Sequence, residues 1–196
     1  MAEDIRARAQ RHDRWVSWIV LAVFVIALIL GWVVKTIAES RTATYDDGTV
    51  HIHYPDGWFK AQAEAPALLQ VEDKWARPFR TTLTLEQRPL PPNTAKPLAL
   101  VVQTLSLDRG RNLTGYRVLE TEESVPIGSY TALHVIFAYV ETNPDPFMET
   151  VPVVMRGEDY LVPDGDQVYV FTLTAAEANY DQAQRTLQDF VRSFEK

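Results

Sequence analysis

The sequence predicts an α+β protein, an antiparallel sheet with helices on both faces, preceded by one transmembrane helix. Three observations predict it. Residues 15–34, WVSWIVLAVFVIALILGWVV, run without a charge. From residue 43 onward, short β-type runs alternate with Asp-Gly and Pro-Asp-Gly turns. Two later stretches carry the helical period, one mid-chain and one terminal, while runs such as Val168–Leu173 are apolar throughout. Strands of that kind are covered on both faces, so one helix is expected on each side.

The apolar stretch is long enough for a bilayer. Twenty residues at about 1.5 Å each span a hydrocarbon core of about 30 Å. A signal-peptide core is shorter and ends in small residues; this one ends in Gly31-Trp32-Val33-Val34-Lys35. Trp15, Trp18 and Trp32 mark its ends, where indoles seek the interface. Arg6, Arg8, Arg11 and Arg14 precede it, against Lys35 and Arg41 after it. The positive side stays inside, so residues 1–14 are expected to be a cytoplasmic tail, 15–34 an uncleaved signal anchor, 35–42 a linker, and 43–196 an extracytoplasmic domain. Ala27 and Gly31, spaced i, i+4, form a small-residue notch where another membrane helix could pack.

The elements of the domain follow in order. TATY-DDG-TVHIHY reads as a hairpin turned at Asp46-Asp47-Gly48, and Pro55-Asp56-Gly57 turns the chain again before Trp58. Residues 68–73 and 81–87 are strands. After a proline-rich loop, Thr94 could cap a helix with Pro97 in its first turn; Leu98, Val101, Val102 and Leu105 then give one apolar face. Residues 116–123 and 130–141 are strands, and a last hairpin turns at Pro163-Asp164-Gly165. Thr174 to Glu177 fits a capping box before a terminal helix. Its stripe is Tyr180, Ala183, Leu187, Phe190, Val191 and Phe194. Six to eight mostly antiparallel strands result.

Charge narrows the function classes. The whole chain is −7. Residues 1–41 hold six Lys+Arg and four Asp+Glu, or +2, which leaves −9 for the remainder. An acidic domain is not built for nucleic acid, whose phosphates require a basic face, nor for lying flat on anionic lipid. Without cysteine there is no disulfide and no thiolate chemistry. The serines lack a nucleophile elbow, and no Walker loop, HExxH or GxGxxG occurs.

His51 and His53 point to one face of a strand and could hold zinc or copper if a third ligand joined them; the alternation also explains them as a solvated face. PDGD (163–166) and DDG (46–48) cluster oxygens but lack calcium-loop spacing and sit where hairpins turn. No catalytic residue, metal ligand or cofactor is predicted. Trp75 and Phe79 in KWARPF, and Phe147 in NPDPFMETVP, place large aromatics in proline-bearing loops, a pattern of partner anchors.

The segment TVHIHYPDGW resembles the opening of PsbP-type domains, in which a first hairpin leads into a Tyr-Pro-x-Gly-Trp turn. YLVPDGDQVYVFTLT followed by EANYDQAQRTLQDFVRSFEK is similar to that superfamily's ending, a strand feeding an amphipathic helix that closes in Ser-Phe. The superfamily groups PsbP, the Mog-type Ran-binding proteins and DcrB-like lipoproteins. The resemblance covers residues 43–196 and implies an α/β/α sandwich used for protein contacts, often as an extrinsic part of a membrane complex. It differs from PsbP in the transmembrane segment ahead of the domain, and it carries over no binding residue. Together these features predict a non-enzymatic, single-pass accessory subunit that stabilises a larger complex of electron transport or photosynthesis. Its partners would be other membrane subunits and the lipid bilayer. The alternative is a free-standing envelope protein whose outer domain binds a small ligand or ion.

Overall fold

The computed structural model describes residues 18, 20–34, 41–92, 94–142 and 151–195. The chain divides into two compact units, Met1–Arg41 and Thr42–Lys196. In the first, residues 20–34 form helix α1, and Trp18 is also helical. Among the described residues no helix is long and apolar enough to cross a membrane. The first residues of the predicted span, the tail 1–14 and most of the linker lie outside the described residues. Ala27 and Gly31 sit on α1, both exposed, and a Cβ on Gly31 would meet nothing within 4 Å.

The second unit holds nine strands among its described residues: β1 (Thr42–Asp46), β2 (His51–Pro55), β3 (Phe59–Lys60), β4 (Ala67–Asp73), β5 (Thr81–Pro89), β6 (Thr114–Ile127), β7 (Tyr130–Thr142), β8 (Pro152–Asp164) and β9 (Gln167–Ala176). Helix α2 (Pro97–Asn112) lies between β5 and β6, and α3 (Tyr180–Arg192) closes the chain. Seven strands form one antiparallel sheet in the order β3-β4-β5-β9-β8-β7-β6, and β1-β2 is a separate hairpin. One strand more than expected is present; β3, at two residues, is too short to leave a pattern.

Alternation along the strands sorts the core onto two faces. Leu83, Leu85, Tyr169, Phe171 and Leu173 pack with Tyr180, Ala183, Leu187, Phe190, Val191 and Phe194, so the predicted terminal stripe is buried in full. Burying each such side chain contributes about 1.5–3 kcal/mol. The hairpin joins this face. Val50 and Ile52 enter the same cluster, and His51 exchanges backbone hydrogen bonds of 2.8 Å with Glu195 just past α3. On the other face, Val101 and Leu105 of α2 pack on Leu133, Val135, Leu161, Val168 and Val170. The domain is thus an α+β fold whose large antiparallel sheet carries a helix on each side, with a complete core of its own within Thr42–Lys196.

Two local expectations are corrected. Thr94 does not cap α2: the helix begins after Lys96 with no side-chain cap, and Pro97 supplies the first turn. Nor do Thr174–Glu177 form a capping box. Thr174 to Ala176 complete β9, and a 3-10 turn, Glu177–Asn179, leads into α3. Backbone pairing across β5, β9 and β8 satisfies those residues better than a helix start would.

The sheet edges are poor templates for further strands. β3 is short, and β6 slips register against β7 at three places while presenting Glu120, Glu122 and Glu123 to solvent.

Candidate functional site

The two faces are covered unequally, and the site follows from that. Seven strands at about 4.8 Å span roughly 30 Å, whereas one helix is about 10 Å wide. On the α3 face the hairpin makes up the difference. On the α2 face nothing equivalent is present among the described residues. Where α2 ends, the sheet surface opens into a groove of about 610 Å³.

Each side chain of the groove has a traceable position. Thr82 faces Thr174 across β5 and β9, and Tyr139 faces Met155 across β7 and β8, so all four share one sheet surface. Glu141 and Glu72 continue it at the two ends, and the segment after β4 supplies Arg77, Pro78, Phe79 and Arg80 as a wall. That wall is held at several points. Asp73 accepts the Trp75 backbone N–H at 2.9 Å, the Arg77 guanidinium donates to the Lys74 carbonyl at 3.0 Å, and Asn179 donates to the Arg77 carbonyl at 2.8 Å. Arg80 pairs with Glu72 at 2.8 Å.

The groove is polar and mixed in charge. Burial pushes the Glu141 carboxyl above its ordinary value. Burial likewise raises the Tyr139 phenol, helped by the Glu141 charge and opposed by a hydrogen bond to Thr174. Two guanidinium groups, two carboxyls and an aromatic wall suit a polar peptide segment or a small polar ligand. The groove residues contain no serine, cysteine or histidine; Thr82 and Thr174 are the hydroxyls, and Glu72 and Glu141 the carboxyls, in its lining.

The predicted site residues separate. Trp75 stands 83% exposed on the wall segment. Phe79 folds back, half-buried, against Phe137, Tyr139 and Met155, and lines the groove as a lid over the core. Phe147 lies outside the described residues. The His51 and His53 rings meet edge to face at 5.2 Å, with Asp46 3.4 Å from His51 and Thr44 3.0 Å from His53. Among the described residues no group of three or more His, Cys, Asp or Glu is placed to hold a metal ion.

The sequence reading missed the pair at the centre of the sheet. Glu158 and Asp159 are consecutive on β8, 0% and 2% exposed, and point to opposite faces. Glu158 accepts from His134 at 2.7 Å, from Tyr180 of α3 at 2.6 Å and from Gln184 at 3.4 Å. Asp159 takes both arms of Arg109 from α2 and the Thr172 hydroxyl. One strand position therefore ties one helix to each face. Burial opposes the Arg109 charge, but Asp159 outweighs it and holds the guanidinium pKa above its ordinary value. Two acids inside the apolar run MRGEDYLV were the available signal, because a buried charge has to be paired.

No family model matches this sequence, and no curated protein matches it either. Solved structures do. The Ran-binding protein Mog1p of Saccharomyces cerevisiae aligns over 79% of this chain and 95% of its own, at 11% identity and a TM-score of 0.53. The cyanobacterial PsbP of Synechocystis, CyanoP, aligns over 79% and 91%, at 14% identity and a TM-score of 0.56. At these identities the likeness speaks to architecture alone. The sheet order, the helix on each face and these two alignments agree: the domain Thr42–Lys196 has the fold seen in Mog1p and CyanoP.

Proposed function

We propose that this protein is a non-enzymatic, single-pass membrane subunit whose outer domain grips a larger membrane complex through the groove beside α2. Residues 15–34 anchor it with the N-terminus in the cytoplasm, on the strength of their length, tryptophan ends and preceding arginines. The observation that carries the reading is the groove itself. It is open and walled by Arg77, Phe79 and Arg80, and its lining residues include no serine, cysteine or histidine. A tether raises the effective concentration of such a contact, so the groove need bind only weakly. Electron-transfer and photosynthetic complexes are the proposed setting, by analogy with the fold.

The test is gentle detergent extraction of the full chain, followed by mass spectrometry of what co-purifies. Stoichiometric membrane subunits, reduced by Arg77→Glu with Tyr139→Ala, are expected. Purification of the wild-type chain alone at every detergent strength would overturn the subunit reading. A second reading, a small polar ligand, is favoured by the groove's size and by the raised Glu141. Native mass spectrometry of the purified domain would then carry an added mass that Tyr139→Ala removes.

A further inference from the structure

Among the described residues of this acidic domain, exposed aromatic and cationic side chains gather at a corner where the chain enters the domain. Thr42, the first residue of β1, pairs with Pro55 at the end of β2. A turn closed by the Trp58 N–H on the Pro55 carbonyl leads straight into β3, where Phe59 pairs with Glu72 of β4. Two residues further on stand Lys74 and Trp75. The Lys74 ammonium lies 3.5 Å over the Phe59 ring, and Lys60, beside it, lies 4.6 Å over Tyr45. Phe59 is 48% and Trp75 83% exposed, and Lys60, Lys74 and Arg77 are exposed around them.

Several local acids are engaged: Glu72 is paired with Arg80, Asp73 caps the Trp75 backbone, Asp47 accepts from the Tyr45 hydroxyl and Asp46 accepts the Gly48 N–H. Asp56 and Glu64 are exposed acids nearby. Lysine and arginine around a projecting indole are what an anionic bilayer surface selects: cations for headgroup phosphates, an amphipathic ring for the interface. The chain from residue 35 to 41 reaches at most about 25 Å when extended, so an anchor ending at Val34 would keep Thr42 close to the bilayer.

We propose that Phe59, Lys60, Lys74, Trp75 and Arg77 form a docking corner for the anionic phospholipid surface in which the chain itself is anchored. This rests on the membrane-anchor reading and adds to it an orientation: the corner faces the headgroups. The groove then opens beside that surface.

The fragment 42–196, which contains the whole sheet, both of its helices and its core, serves as the probe. It would be sedimented with vesicles of phosphatidylcholine alone and of an equal mixture with phosphatidylglycerol. Binding to the mixed vesicles only, lost in high salt, is expected. Lys74→Gln and Arg77→Gln should each weaken it roughly fivefold, and Trp75→Ala should weaken it further. Equal binding to both vesicle types, no binding, or undiminished binding by the triple variant overturns the proposal. A photo-crosslinker at position 75 of the full chain should capture lipid; capture of a protein instead also overturns it. Carbonate extraction of native membranes separates the two ideas. Release of the full chain defeats the anchor reading, whereas an integral chain with a non-binding fragment defeats this inference alone.

Discussion

The ring of Phe137 occupies the space that a Cβ on Gly157 would take. The two residues face each other across β7 and β8, and an added methyl would press on three of the ring's carbons. The Arg109 guanidinium also lies over this ring, 4.2 Å from its centre. Glycine, aromatic ring and arginine are thus in contact as one group on the sheet. The predicted consequence is that Gly157→Ala destabilises the domain by about 1–3 kcal/mol through overpacking, read as a lowered urea midpoint. Combining it with Phe137→Leu should recover part of the loss, so the two changes should be non-additive.

Removing one partner of the Arg109–Asp159 pair leaves either a buried carboxylate or a largely covered guanidinium unpaired. Arg109→Ala and Asp159→Ala should each cost about 3–5 kcal/mol. Arg109→Met with Asp159→Leu, which replaces the pair by apolar groups of comparable size, should cost less than either. Urea titrations of the four proteins give the comparison directly. A double variant as unstable as the sum of the singles would contradict the role given to the pair.

Acid should weaken the domain through Glu158. Burial opposes its charge, yet the hydrogen bonds from His134 and Tyr180 prevail and hold its pKa below the ordinary 4.5. A carboxyl depressed on folding contributes stability that is fully present above 4.5 and is lost as pH falls through the lower folded value, at about 1.4 kcal/mol per unit of depression. Thermal melts between pH 7 and pH 3 should therefore show a falling acid limb that is shallower in Glu158→Gln.

If α1 packs against other membrane helices, its small residues set the approach. Ala27→Leu with Gly31→Leu should reduce co-purification of membrane subunits more than Trp75→Ala does, since membrane helices associate by close packing. Full retention of partners by the leucine variant would rule out a packing role for Ala27 and Gly31.

What was legible in the sequence was what depends on neighbours along the chain. The Pro163-Asp164-Gly165 turn specified the β8–β9 hairpin, and the terminal stripe specified the buried face of α3. Long-range pairing was not legible. Arg109 and Asp159 are fifty positions apart, and neither carries a local mark of the other. The groove was hidden for the same reason: it exists because a helix of 16 residues lies across only part of a seven-stranded sheet. Phe79 was readable as an aromatic in a loop, but its inward turn depends on Phe137, Tyr139 and Met155 from two distant strands.

The bulged, acid-bearing β6 bears on how many copies can coexist. A strand edge that is straight and apolar templates its own kind, and confinement to a plane would multiply those encounters. With its register broken between Thr114 and Arg117, Val118 and Glu120, and Glu122 and Val125, β6 offers a neighbouring copy no continuous ladder to extend. Like charges on two such edges would also repel. At its β6 edge, therefore, the sheet gives a crowded neighbour little to extend.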